Sequence, residues 1–211
     1  MKTDISYIII QFKHYNIMKN NLPIYNIELG TSTGVLKMSL VDSPAVMTDF
    51  IAFSEEKQLN FSVDEEQHIV FGCALRADFP IYRFNKEMGE YYVVFTKETI
   101  KQLYEKFMIE GRIYDVNTQH STDVEGVSLI QSFIKDKEKG INPVGFEDVE
   151  DGSWFCAYKI QNEEVWEDVK SGKFKGFSVE GFFTLNEAKF DSQEPEEVDE
   201  LEQYIDEILC E

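Results

Sequence analysis

Two short segments hold residue types suited to acyl-transfer chemistry. The first is Lys175-Gly176-Phe177-Ser178-Val179-Glu180-Gly181-Phe182-Phe183. Side chains alternate along a strand, so Phe177 and Val179 share one face while Ser178 and Glu180 share the other. The flanking glycines let another backbone come close. A serine hydroxyl becomes a useful nucleophile only when a neighbouring base removes its proton, a task suited to an imidazole. The chain has three histidines. His14 lies in an N-terminal leader of uncertain structure. His68 sits inside the strand-like run Gln67-His68-Ile69-Val70-Phe71, where an ordinary partly buried or surface role is the better reading. His120 lies in Val116-Asn117-Thr118-Gln119-His120-Ser121, a polar connection between a helix and a strand. Loops held by a rigid scaffold are where catalytic groups concentrate. On the residues alone, a solvated serine on a half-exposed strand and an incidental loop histidine stay open. Cys156 is a rival nucleophile, but within Trp154-Phe155-Cys156-Ala157-Tyr158 it reads as a small buried hydrophobe.

The elements that must position these residues are mostly strands. Ile24 to Leu29 and Val35 to Val41 read as strands around the Gly-Thr-Ser-Thr-Gly turn, and Asp42-Ser43-Pro44 breaks the pattern. Phe50 to Phe53, Leu59 to Val63 and His68 to Leu75 continue it, with Asp64-Glu65-Glu66 as a hairpin turn. Pro80 to Arg83 leads into a turn at Gly89 and a strand from Tyr91 to Phe95. Thr96 is suited to cap a helix carrying Ile100, Leu103, Tyr104, Phe107 and Met108 at helical spacing, ended by Gly111. Val127 to Ile134 and Trp154 to Ile160 are further strands. Asn162 caps a short helix with Val165, Trp166 and Val169 on one side, and Phe177 to Leu185 forms the last strand. With no βαβ alternation, the expected class is α+β and β-rich, with a β-barrel as one form of it. Residues 1–21 read as a leader, 22–190 as one domain and 191–211 as an acidic tail. In that tail Val198, Leu201, Ile205, Ile208 and Leu209 make one stripe of an amphipathic helix.

Composition bounds the function. Of 211 residues, 40 are acidic and 20 basic, giving a net charge of −20. Such a field repels phosphate backbones and argues against direct nucleic-acid binding. Cys73, Cys156 and Cys210 are widely spaced, with no CxxC or Cys/His cluster. Neither a disulfide framework nor a zinc site is expected, and a reducing cytoplasm is the natural setting. The apolar run Tyr7 to Ile10 is too short for a signal core or membrane span. There is no GxSxG elbow, P-loop, Rossmann glycine pattern or HExxH.

Four stretches occur in order: Ser39-Leu40-Val41-Asp42-Ser43-Pro44-Ala45-Val46, Gly89-Glu90-Tyr91-Tyr92-Val93-Val94-Phe95, Asn117-Thr118-Gln119-His120 and Gly176-Phe177-Ser178-Val179-Glu180-Gly181-Phe182-Phe183. Together they resemble the XkdF-like serine proteases of tailed phages and prophages, over roughly Ile24 to Leu185. The resemblance implies a prohead protease with a fold similar to herpesvirus assemblin. It carries the nucleophile onto Ser178 and the general base onto His120. No histidine follows Ser178, so a triad would need an acid. Glu180 is the candidate, with Asp123 and Glu125 open, and backbone N–H groups should supply the oxyanion hole. Implied substrates are the phage scaffold protein and the major capsid protein, and also the chain itself. The portal is a further candidate partner, and self-association as a homo-oligomer fits the same setting. The implied location is the host cytoplasm, inside the assembling prohead, with no membrane and with no metal or organic cofactor needed. A non-enzymatic assembly or scaffold protein that keeps the protease fold is the alternative. A host β-barrel binding module accounts for the strands and charge but not for the four ordered motifs.

Overall fold

The computed structural model describes residues 22–30, 33–44, 62–64 and 67–187. Within them the chain forms β1 (Ile24–Glu28), β2 (Gly34–Val41), β3 (Ser62–Asp64), β4 (Ile69–Leu75), β5 (Ile81–Asn85) and β6 (Gly89–Val94). Helix α1 (Lys97–Ile109) follows, then β7 (Val116–Thr118), β8 (Thr122–Asp123), β9 (Val127–Ile134) and β10 (Trp154–Ile160). Helix α2 (Glu163–Lys170) precedes β11 (Gly176–Phe182) and β12 (Thr184–Glu187). The class is α+β and β-rich. Three four-stranded sheets run in the orders β12-β1-β6-β5, β3-β4-β10-β9 and β11-β2-β7-β8. Pairing among the described strands does not close into a ring, so the expected barrel is not formed by these hydrogen bonds. The leader, the strand expected at Phe50 to Phe53 and the tail lie outside the described residues.

Both helices form for the reasons their sequences supply. The Thr96 hydroxyl accepts from the Thr99 N–H at 3.2 Å, and Glu98 sits in the first turn, where the helix dipole favours a negative charge. α1 buries Ile100, Leu103 and Phe107 completely. Each such side chain contributes about 1.5–3 kcal/mol of burial. The Asn162 side-chain oxygen Oδ1 accepts from the N–H groups of Glu164 and Val165, and α2 buries Val165, Trp166 and Val169. Between the helices in sequence, β10 is covered on both faces. Trp154, Cys156 and Tyr158 join the main core, while Phe155 enters a smaller cluster with Cys73, Phe146 and Val149.

Three expectations differ from the structure. The polar connection around His120 contains two short strands, β7 before it and β8 after it, and β7 pairs with β2 in parallel. Three residues are too few to show alternation, so only the pairing reveals β7. The last strand divides at Phe183: β11 joins β2, whereas β12 joins β1. Phe183 sits at this switch and packs edge-on against Phe95. His68 lies in the turn before β4, with a positive φ of 53° and its ring stacked on Trp166. That backbone conformation starts the strand at Ile69, one residue later than the apolar pattern suggests.

The sheet β11-β2-β7-β8 positions the candidate site. One of its faces is apolar: Phe177, Met38, Leu40 and Val116 are buried in the main core. Across the other face the register aligns Ser178 with Ser39, Ser39 with Asn117, and Asn117 with Asp123. Glu180 lies opposite Lys37, and the register shifts just beyond it, where Gly181 pairs with Val35. This bulge brings Gly181 hard against the neighbouring backbone. A Cβ there would lie 2.1 Å from the Gly34 carbonyl oxygen. Gly181→Ala should therefore destabilise the fold by about 1–3 kcal/mol, since the obstructing atom belongs to the backbone and cannot rotate away. Urea unfolding midpoints of the two proteins would check this, and an unchanged midpoint would contradict the close approach.

Candidate active site

His120 reaches the sheet face from a tight turn. Gln119 and His120 both have positive φ, 52° and 54°, and the Ser121 N–H donates to the Thr118 carbonyl at 3.0 Å. Two consecutive residues of this kind make the type I′ turn that joins β7 to β8. The Gln119 N–H also donates to the Leu40 carbonyl at 3.0 Å, which fastens the turn to β2. The imidazole is thereby laid over the row of polar side chains.

Ser178 and His120, 58 residues apart in sequence, meet there. His120 Nε2 lies 3.0 Å from Ser178 Oγ. On the other side of the ring, Nδ1 lies 2.9 Å from Ser39 Oγ and 3.5 Å from Glu180 Oε2. Asn117 Nδ2 donates to Glu180 Oε2 at 2.7 Å, and Ser39 Oγ is hydrogen-bonded to Asn117 Oδ1. Ser39 is completely buried and Asn117 nearly so, whereas the His120 and Glu180 side chains are about 40% exposed, at 41% and 39%. The histidine and carboxylate are thus accessible from solvent, and the groups beneath them are fixed in the protein.

Of the acidic candidates, only Glu180 approaches the imidazole among the described contacts. The Asp123 carboxylate is engaged by Lys37 and holds that ammonium above its ordinary pKa. Glu125 contributes its backbone carbonyl to Asn162. Ser39 and Asn117 have no counterpart among the sequence-derived site residues. Both lie in the stretches that carried the family resemblance, but the pairing of three strands is what gathers them. Ser178, His120 and Glu180 line an open cleft of about 780 Å³ together with Ser43, Arg83 and Phe182. Among the described residues, no group of three or more His, Cys, Asp or Glu side chains is arranged to hold a metal ion.

A nucleophile beside an accessible imidazole, oriented from behind by polar groups, is the arrangement that serine acyl transfer requires. The family described as "Putative phage serine protease XkdF" matches residues 58–187 of this chain. The chain belongs to that family. The matched XkdF-family region includes His120, Ser178 and Glu180 but begins after Ser39. Among curated proteins, the phage-like element PBSX protein XkdF of Bacillus subtilis (strain 168) is 26% identical over 153 residues. That similarity covers 68% of this chain and 50% of the relative. The uncharacterized protein YqbD of the same organism is 24% identical over 155 residues, covering 70% of this chain and 44% of the relative. The chain therefore spans about half the length of the curated relatives it matches. No solved structure matches it.

Cys156 and Cys73 are both buried free thiols. Burial pushes the Cys73 thiol up to about 12 and moves Cys156 in the same direction. A thiolate, the reactive form, is thus suppressed at both positions. In a Cys210→Ser background the native protein should resist alkylation by iodoacetamide at neutral pH, and two thiols should become reactive in denaturant. Rapid native labelling of Cys156 would restore it as a rival nucleophile.

Proposed function

We propose that this chain is a serine endopeptidase acting in phage prohead maturation, with Ser178 as nucleophile and His120 as general base. The observation that carries this reading is the 3.0 Å separation of His120 Nε2 from Ser178 Oγ at an open cleft. That distance lies within the range for direct proton transfer. His120 takes the Ser178 proton as Oγ attacks the scissile carbonyl, then gives it to the leaving amine. A water molecule, deprotonated in turn by His120, hydrolyses the acyl-enzyme. Glu180 stabilises the imidazolium that forms between these steps, from 3.5 Å.

The family description supports a phage protease, and on this reading the substrates are the phage scaffold protein and the major capsid protein. The work is done inside the assembling prohead. An assemblin-like fold belongs to the same proposal, supported by the close packing of β11 against β4, which brings two of the three sheets together.

An active-site-directed fluorophosphonate probe tests the mechanism, because only an activated serine reacts with it. The wild-type chain should be labelled at Ser178. Ser178→Ala and His120→Ala should each lower peptide-bond hydrolysis in co-expressed scaffold and capsid proteins by on the order of 10⁶-fold. The double variant should be scarcely worse, since the two residues act as a unit. Cooperative unfolding should be retained in all three. A wild-type chain that resists the probe and leaves scaffold and capsid intact would favour a non-enzymatic assembly protein with the same fold.

A further inference from the structure

We propose that Ser39, Asn117 and Glu180 form a directed hydrogen-bond chain that fixes the tautomer of His120, with Ser39 as the positioning residue in direct contact with the ring. This deepens the protease reading and rests on it. The direction follows from chemistry at one end. An ionised carboxylate only accepts hydrogen bonds, so the group facing Glu180 Oε2 at 2.7 Å must be the amide nitrogen of Asn117. Its other amide atom, the carbonyl oxygen, then faces Ser39 and can only accept. The Ser39 hydroxyl must therefore donate its single proton to Asn117 Oδ1. What Ser39 Oγ has left is a lone pair, and 2.9 Å away lies His120 Nδ1. Nδ1 must carry the imidazole proton to complete that bond. In the neutral ring Nε2 is then unprotonated and faces Ser178 Oγ at 3.0 Å, ready to accept its proton.

Each link constrains the next because the middle of the chain is sealed from water. Ser39 is completely buried and Asn117 is 2% exposed, so neither has ready solvent to satisfy it in another orientation. Reversing the chain would point a lone pair of Asn117 at the Glu180 carboxylate, which is repulsive. Glu180 itself lies 3.5 Å from Nδ1, beyond the usual N–H···O range, while Ser39 Oγ is inside it. The carboxylate thus acts on the ring in two ways. Through Asn117 and Ser39 it sets which nitrogen is protonated, and through space it favours the positive charge that develops when Nε2 takes the Ser178 proton. Nδ1 keeps its own proton throughout. A free neutral imidazole favours the opposite tautomer, with the proton on Nε2, and that form could not serve as the base for Ser178.

The tautomer can be read without any substrate. In the full-length chain labelled with ¹⁵N-histidine, long-range proton–nitrogen spectra distinguish protonated from unprotonated ring nitrogens. The His120 pair is assigned by its loss in His120→Gln. At alkaline pH, Nδ1 should appear protonated and Nε2 unprotonated. Ser39→Ala should shift the ring toward the Nε2-protonated form and slow fluorophosphonate labelling by about 100-fold, the scale expected when a reacting group loses its orientation. Glu180→Gln guards against a Ser39 variant that fails to fold, because its side chain is half-exposed. It should give a tautomer mixture, since an amide no longer dictates which way Asn117 points. An Nε2-protonated wild-type ring, or two variants that both keep Nδ1 protonated, would overturn the chain. If that occurred while Ser178 still took the probe, the protease reading would stand and only the chain would fall. If Nδ1 were protonated and the probe did not react, the chain would stand and the protease reading would fall.

Discussion

Everything at the candidate site depends on the register of β2 between its two neighbours. β2 pairs antiparallel with β11 and parallel with β7, and these pairings align Ser178, Ser39 and Asn117 in one row. Because side chains alternate with period two, a slip of one residue would turn a strand over. In β11 such a slip would carry Phe177 out of the core and place Ser178 in it. The apolar face resists this. Phe177, Met38 and Leu40 are almost completely buried, so the hydrophobic side of the sheet fixes the geometry of its polar side. The site is precise because its reverse face is a core.

The polar row carries the complementary constraint. Buried hydrogen-bonding groups are costly unless each is satisfied, and here each group has its partner. Lys37 engages Asp123, Asn117 spans Glu180 and Ser39, and Ser39 reaches His120. A fully buried cation, Lys135, shows the same economy elsewhere. Lys135 is inaccessible to solvent, and its ammonium donates to the carbonyls of Phe146, Glu147 and Val149. Through these backbone carbonyls it holds the connection after β9 over the small aromatic cluster around Phe155.

What the sequence made legible was whatever is local. Thr96 and Asn162 mark helix starts because capping is settled within three residues. The alternation of Phe177, Ser178, Val179 and Glu180 gives the two faces of β11 directly. The meeting of Ser178 with His120 came through family resemblance, since no rule of spacing connects positions 58 residues apart. What stayed hidden is what pairing alone creates. β7 and β8 are too short to show a period, and Ser39 and Asn117 look like ordinary strand polars until three strands are laid side by side. The break at Phe183 was masked because Phe182-Phe183-Thr184-Leu185 carries no Gly or Pro to mark it. Lys135 could not be anticipated, because a buried lysine is recognisable only from the carbonyls that surround it.

The turn holding His120 brings stability and chemistry into conflict at one place. Positive φ at two consecutive positions suits Asn-Gly or Gly-Gly, yet the chain has Gln119 and His120 there, and such conformations cost on the order of 1–3 kcal/mol each for other residues. A sequence chosen only to fold would write this hairpin with Asn-Gly and remove the imidazole. Stabilising replacements of that kind are easily found in proteins generally, because selection acts on function as well as on the folded state. Thermostability screening of this chain without an activity readout would therefore tend to erase His120 among its first improvements. The strained dipeptide is a place where fitness and foldability can be read as opposing pressures in a single turn.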